Sequence, residues 1–357
     1  MRILILSPDL PSHGVVQSLA AQGVEPVVAL ASGESRTHGV IRYERVASRG
    51  DHGDPLHLRW SKKALRTLVR DLRPDLIHVV GDPWIPTAES GAAAARHLGI
   101  PYVLVGQSSV GGPNGLTARW QSKRVRDGAA GLGGVSRLAL RHLAGETASV
   151  PSVVLPHPGF EIPVSTIDRP VPAFPTFLVV GRIVPERGLD LLFDSLATCF
   201  GEWRLRIVGA GPAQVTLEAH AQRLGLSSRI EWLGGLPRTE LARLWPEVDL
   251  IVAPSRSTPT WVEPTGSVVM EAMSHGVGAV VTRCGALPDV VGEGGMIVDE
   301  EDGEALARAL SGVIGDPSRV VALGIAARRR LLEQFGDGPL AGRMLAWWRE
   351  ARGQAIG

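Results

Sequence analysis

Short apolar runs alternate with amphipathic stretches along almost the whole chain, and this alternation limits its fold more than any other feature. The runs at 2–6, 26–30, 76–80, 102–105 and 152–155 are too short for helices, whereas 15–22, 61–72, 86–98 and 136–144 carry apolar residues at helical spacing. Alternation of this kind predicts parallel sheets covered by helices on both faces. A second series follows, with strands expected at 177–180, 205–208, 229–232, 249–252, 279–282 and 295–298 and helices at 189–199, 213–224, 239–244, 266–275 and 304–314. A polar, proline-bearing stretch at 162–175 reads as a linker between the two. At 357 residues the chain exceeds one ordinary core,. The fold expected is α/β, two doubly wound Rossmann-like domains facing a cleft, with ligands at the carboxyl ends of the strands. The boundaries read as 1–165, 166–338 and a final helical segment 339–357. That segment carries Leu340, Met344, Trp347 and Trp348 as a helix-spaced apolar stripe, so it is predicted to cross back onto the first domain,.

Composition narrows the function classes. Hydrophobic residues make up 44% and charged residues 20%, which excludes a disordered chain,. Cys199 and Cys284 are the only cysteines and lack metal-ligand spacing, so reduced thiols and a cytoplasmic location are expected,. The opening apolar run is ended by Ser7-Pro8-Asp9, too soon for a signal peptide or a membrane span,. No HExxH, paired-aspartate loop or His/Cys cluster appears, and no metal site is expected,. The net charge of +1 divides unevenly: residues 1–165 hold 18 Lys and Arg against 13 Asp and Glu, and residues 166–357 hold 19 against 23. Lys62, Lys63, Arg66, Arg70 and Arg73 cluster on one expected helix, and Arg119, Lys123, Arg124 and Arg126 on another. Such clusters are either solvated helix faces or the footprint of an anionic acceptor or membrane surface. Tyr43 and Tyr102 are the only tyrosines, and nucleic acid is not an expected partner,.

The most chemically specific block is Glu263-Pro264-Thr265-Gly266-Ser267-Val268-Val269-Met270-Glu271, with two carboxylates eight residues apart across a glycine. If Gly266 opens a helix, Glu263 lies in the preceding loop and Glu271 in the second turn. The free N–H groups of that helix end bind phosphate, while the carboxylates accept hydrogen bonds from hydroxyls flanking it, as in a nucleotide sugar. Gly181-Arg182 follows an expected strand and Pro185-Glu186-Arg187-Gly188 precedes the next helix, so two guanidiniums sit where both reach one diphosphate,. Singly, such arginines are surface ion-pair partners. Gly209-Ala210-Gly211 with Glu231 further on imitates a dinucleotide fingerprint, but Gln214 replaces the third glycine, and a tight strand-to-helix turn is the preferred reading,. The loop 7–14 after the first strand lets the backbone at Gly14 approach a ligand, with His13 beside it. His78 reads as a core histidine, and Asp82, at its strand's carboxyl end, as the better candidate to face an acceptor,.

Together, the Gly-Arg and Glu-Arg-Gly loop, the Gly-x-Gly turn, Ala253-Pro254-Ser255, the two spaced glutamates and Cys284-Gly285-Ala286-Leu287-Pro288-Asp289-Val290-Val291 resemble the retaining family-four glycosyltransferases of GT-B fold. The resemblance implies that Arg182 and Arg187 hold the donor diphosphate, with Arg187 where relatives usually have Lys. It places Glu271 on the ribose hydroxyls, Glu263 on the transferred sugar, and the backbone from Thr265 to Val268 on sugar and phosphate. Gly14, Gly209, Leu236 and Pro264 complete the donor-side candidates, and His13 and Asp82 are those of the acceptor side. Many relatives place a histidine where this chain has Gln107, which hydrogen-bonds a sugar hydroxyl but does not titrate near neutral pH,. The implied activity is metal-independent, retaining transfer of a sugar from a UDP or GDP sugar, without cofactor, to a sugar, lipid-linked or small-molecule acceptor hydroxyl. The setting implied is glycan, glycolipid or glycoconjugate synthesis, either in the cytoplasm or peripherally at the inner membrane face. The alternatives are a GT-B enzyme of another type, such as a nucleotide-sugar epimerase or a phosphorylase, and a catalytically silent subunit.

Overall fold

The computed structural model describes residues 1–7, 12–50, 58–112, 115–145, 149–156, 162–163 and 169–356. The chain divides into two compact units, Met1–Glu161 with Gly336–Gly357, and Ile162–Phe335. The second junction falls earlier than the 338 read from sequence, because the last helix of the chain already begins at Asp337.

In the first unit the strands are β1 (Arg2–Leu6), β2 (Glu25–Leu30), β3 (Arg36–His38), β4 (Ile41–Arg45), β5 (Ser48–Arg49), β6 (Arg59–Trp60), β7 (Leu76–Val80), β8 (Tyr102–Gly106), β9 (Gly131–Gly134) and β10 (Ser152–Val154). Eight of them form a sheet in the order β10-β9-β8-β7-β1-β2-β4-β3, parallel except for the antiparallel β3/β4 edge. Chain direction across the sheet reverses at β1, which lies between β7 and β2. One face is covered by the helices Lys62–Leu72 and Pro86–Leu98, and the other by His13–Ala21 and the C-terminal helix Asp337–Ile356.

The strands β3 to β6 and β9 are absent from the expectations. Residues 36–38 are exposed throughout, so no apolar run marks that edge. Gly131-Leu132-Gly133-Gly134 is wholly buried yet carries one side chain larger than a hydrogen. Its glycines are needed because a Cβ on Gly131 would sit 2.9 Å from the Trp347 indole nitrogen and one on Gly133 would sit 3.2 Å from the same ring. The strand is thereby thin enough for the C-terminal helix to lie on it. Trp347 then donates to the Pro151 carbonyl at 3.0 Å, Trp348 donates to His78 Nδ1 at 3.1 Å, and Arg352 pairs with Asp75 at 2.8 Å. The helix therefore crosses back onto the first unit, with Leu340, Trp347, Trp348 and Ala351 buried in its core.

The second unit holds β11 (Thr176–Val180), β12 (Arg204–Val208), β13 (Ile230–Gly234), β14 (Leu250–Ala253), β15 (Gly278–Thr282) and β16 (Met296–Val298), all parallel, in the order β13-β12-β11-β14-β15-β16. Strand order reverses between β11 and β14, the switch point at which open α/β sheets leave a crevice. Two helices beyond the expected set, Leu287–Val291 and Ser318–Phe335, pack near β15. Among the described residues no single helix is long and apolar enough to cross a membrane.

Candidate active site

At the switch point of the second unit, the ends of β11 and β14 and the N-terminus of the helix Ser267–Ser274 enclose a cavity of about 90 Å³ lined by Gly181, Arg187, Ser255, Glu263, Gly266 and Ser267 among others. The chain reaches this geometry through glycines. Gly181 has φ +150 and a Cβ there would press on the Arg187 guanidinium at 3.1 Å, while Gly188, at φ +65, leaves no room for a side chain against the Pro254 carbonyl. Gly266 at φ +64 turns the chain into the helix, so that the N–H groups of Ser267, Val268 and Val269 begin it without intrahelical partners,.

Arg187 and Glu263 meet at the cavity. Arg187 Nη1 donates to Glu263 Oε2, Glu263 Oε1 accepts from Gly266 N at 3.3 Å, and the guanidinium lies 5.1 Å from the centroid of the Trp261 ring. Glu263 is buried, but its charge is balanced by the arginine and by the helix end,. The loop that carries it is tied down from outside, since Glu300 accepts from Ser257 N at 2.6 Å and from Ser257 Oγ at 2.7 Å. Arg182 is exposed and makes no ion pair or hydrogen bond among the described residues, which leaves its guanidinium available to a ligand.

Glu271 sits on the inward face of the same helix with different partners. Its Oε1 accepts from Trp245 Nε1 at 3.3 Å and its Oε2 pairs with Arg238 at 3.3 Å. The helix end opposite the cavity is held by two arginines: Arg328 donates to the Ser274 carbonyl, and Arg169 to those of His275 at 3.3 Å, Trp245 at 2.5 Å and Val248 at 2.5 Å. Cations at the carboxyl end and an open amino end suit the helix dipole.

Residues 169–330 match the family model for glycosyl transferases group 1. The second unit is a group 1 glycosyltransferase domain. A GDP-mannose-dependent phosphatidylinositol monomannoside mannosyltransferase of Mycolicibacterium smegmatis is 32% identical over 195 residues, 52% of this chain and 50% of the relative. The chain thus spans about half the length of that relative. The 2-deoxystreptamine glucosyltransferase of Streptomyces kanamyceticus is 28% identical over 338 residues, 84% of each chain. Among solved structures, the sucrose-phosphate synthase of Thermosynechococcus elongatus aligns with a TM-score of 0.67 at 19% identity, covering 99% of this chain and 100% of its own. The Anabaena protein HepE, solved in complex with UDP, gives 0.67 at 19% identity over 98% and 99%. The overall fold is GT-B.

Within the glycosyltransferase domain the remaining donor-side candidates are dispersed. Ser267 and Val268 line the cavity, Pro264 and Thr265 lie in the loop between Glu263 and the helix Ser267–Ser274, and Leu236 sits half-buried after β13. A Cβ on Gly209 would collide with the Gly181 carbonyl, so the glycine lets two strand-end turns touch. The sequence reading missed Trp261 and Arg238, and gave no role to Ser255. The Ser255 hydroxyl lies within the wall of the cavity, buried and without a hydrogen-bond partner among the described residues. Its place in Ala253-Pro254-Ser255, straight after a strand, was the available signal.

Residues 8–11 of the loop before His13 lie outside the described residues. His13 Nδ1 is 3.0 Å from the Tyr43 hydroxyl and its Nε2 is 2.9 Å from the Gln17 amide. The expectation that Gly14 leaves its backbone open to a ligand is corrected: the space a Cβ would fill there is held by the Asp337 carboxylate, which also accepts from Ser12 Oγ at 3.2 Å. Asp82 likewise does not face out. It is 2% exposed, with Oδ1 accepting from Gln107 N and Ser108 N at 3.1 and 3.2 Å and Oδ2 from Ser108 Oγ at 2.6 Å. Asp82 therefore fixes the backbone of the loop that carries Gln107, whose side-chain amide makes no hydrogen bond among the described residues.

Proposed function

We propose that the chain is a retaining glycosyltransferase that moves a sugar from a UDP or GDP sugar to an acceptor hydroxyl in glycan or glycolipid synthesis. The observation that carries this reading is the cavity at the switch point, where an arginine, a glutamate and an open helix end converge. Its volume corresponds to about three waters at roughly 30 Å³ each, the scale of one phosphate rather than a whole nucleotide. Arg182 and Arg187 with the N–H groups of Ser267 and Val268 hold the diphosphate and stabilise the charge that grows on it as the glycosidic bond breaks. Glu263 accepts hydrogen bonds from the transferred sugar and Glu271 from the ribose. The departing phosphate oxygen takes the acceptor hydroxyl's proton on the face it leaves, so configuration is retained and no protein base is required. Two guanidiniums, Arg187 held by Glu263 and Arg182 exposed, supply the positive charge at the diphosphate, and on this reading neither a metal ion nor a cofactor takes part.

The relatives' printed names, a GDP-mannose-dependent enzyme and a glucosyltransferase, support both the donor class and the transfer of a hexose. Incubation with UDP-glucose and GDP-mannose, with and without chelator, tests the reading by release of UDP or GDP and by the anomer of the product. Release of neither nucleotide, together with absence of nucleotide binding, would reject it, and an inverted anomer would reject the mechanism alone.

A further inference from the structure

We infer that the first unit carries a binding site for a phosphorylated sugar or polyol, in which Arg119 and Lys123 take the phosphate and the indoles of Trp84 and Trp120 take the ring that bears it. The inference rests on the glycosyltransferase reading only in making that ligand the acceptor.

The site is a groove of about 660 Å³ whose lining includes Trp84, Gly111, Arg119, Trp120, Lys123 and His142. That volume lies within the roughly 300–1,000 Å³ of small-molecule sites. Among the described residues no Asp or Glu lines it. Of its cations, Arg126 is paired with Asp127 at 2.8 Å, whereas the side chains of Arg119 and Lys123 have no ion pair or hydrogen bond among the described residues. They stand four residues apart on one face of the helix Leu116–Asp127, where like charges repel each other until an anion lies between them,. A phosphate with two or three acceptor oxygens satisfies both.

The ring-binding half is aromatic. Trp120 is 64% exposed beside Arg119, with the Arg124 guanidinium 5.5 Å from its centroid, so its indole stands as a wall rather than as part of the core. Trp84 is set edge-on to His142 at 6.1 Å, and His142 Nε2 donates to the Gly111 carbonyl at 2.6 Å, which locks that ring. Indoles carry a large apolar face for the C–H face of a sugar ring and leave its hydroxyls to polar groups. Trp84 and Gly111 follow β7 and β8, so the groove lies beyond the carboxyl ends of the sheet, the side on which open α/β sheets bind ligands,. A groove of this volume with indoles along it suits a small headgroup better than a flat lipid surface.

Calorimetry on the intact protein with glucose 6-phosphate and inositol 1-phosphate, against glucose and inositol, tests the site. The phosphorylated compounds should bind at least tenfold more tightly than their plain counterparts. Arg119→Gln combined with Lys123→Gln should abolish that preference while leaving UDP and GDP affinity unchanged, and Lys62→Gln with Lys63→Gln should alter neither. Equal binding of phosphorylated and plain compounds, or an unaltered preference in the Arg119/Lys123 variant, would overturn the site. Phosphatidylinositol vesicles distinguish the source of the phosphate. Adsorption displaced by inositol 1-phosphate marks a lipid-borne headgroup, and absence of adsorption marks a free sugar phosphate, either of which keeps the groove. Adsorption that inositol 1-phosphate does not displace would replace it with a membrane surface. Loss of nucleotide binding alone would sink the donor reading and not this one.

Discussion

The Arg187 guanidinium and the Glu263 carboxylate form an ion pair across 76 residues of sequence, at the cavity both were expected to share with a ligand. Each prepares the site for the other: the arginine cancels a buried charge that would repel a diphosphate, and the carboxylate holds the arginine in place before a ligand arrives. Arg187→Ala should weaken UDP or GDP binding by about 1.5 to 3 kcal/mol, the range for hydrogen bonds to charged groups. It should also lower the melting temperature of the second unit, because Glu263 is left buried without its cation. Arg187→Lys should keep most of the affinity, since Lys binds phosphate as a point charge. Calorimetry showing unchanged affinity in the alanine variant would remove Arg187 from the diphosphate site.

The two glutamates differ in their surroundings, and that difference predicts different consequences. Glu263 faces the cavity, whereas Glu271 is held by Trp245 and Arg238. Glu271→Gln should lower affinity for the free nucleotide as well as for the nucleotide sugar, because the ribose is present in both. Glu263→Gln should spare the free nucleotide, because the amide oxygen still accepts from Arg187 and keeps it in place, and should weaken only ligands that carry the sugar,. Equal losses for both ligands in both variants would show that the carboxylates do not divide the donor in this way.

How much was legible depends on where the deciding interaction lies. The helix Pro86–Leu98 could be bounded from sequence because Pro86 opens it and Gly99, at φ +66, ends it,. The strands Arg2–Leu6 and Leu76–Val80 were equally plain, since a central parallel strand is a continuous apolar run. β9 was not legible, because its glycines answer to Trp347 and Leu140 on other elements and nothing local marks them. The same limit applies at the site. Spacing exposed Glu263 and Glu271 as a pair of interest, but the partners that separate them, Arg187 for one and Trp245 with Arg238 for the other, are tertiary neighbours. Gly14 shows the converse error, in which a local rule about close approach was sound and the approaching group was the chain's own Asp337.

Stability of the first unit should depend on pH through His78. Burial drives its imidazole down to about 3, and Nδ1 accepts the Trp348 indole hydrogen, a bond that a protonated ring loses,. The folded value lies below the unfolded one of about 6.5, so between these limits the unfolded chain binds the extra proton. Stability is full above about pH 6.5 and falls on acidification by about 1.4 kcal/mol per unit down to about pH 3. His78→Gln keeps an acceptor for Trp348 and does not titrate, so its urea midpoint should fall less steeply with acid than that of the parent. Parallel pH profiles for the two proteins would show that His78 does not carry the dependence.

The C-terminal helix should govern the first unit although it comes last in the chain. Leu340, Trp347, Trp348 and Ala351 are among the most buried residues of that core, and the glycine strand β9 is shaped to receive Trp347. Deleting residues 337–357 should expose this face of the sheet and accelerate hydrogen exchange in β1, β7 and β9, while β11, β12 and β14 of the second unit keep their protection. A milder variant separates packing from wholesale unfolding. Trp347→Ala removes the indole and its bond to the Pro151 carbonyl, and large-to-small changes of this kind cost about 3 to 5 kcal/mol,. Its cost should be partly recovered by Gly131→Ala, because the Cβ whose nearest contact would be the indole nitrogen at 2.9 Å then enters space the substitution has emptied,. If the two changes were simply additive, or if exchange in β9 were unaltered by the deletion, the glycines would have another cause and the helix would not be the element that completes this core.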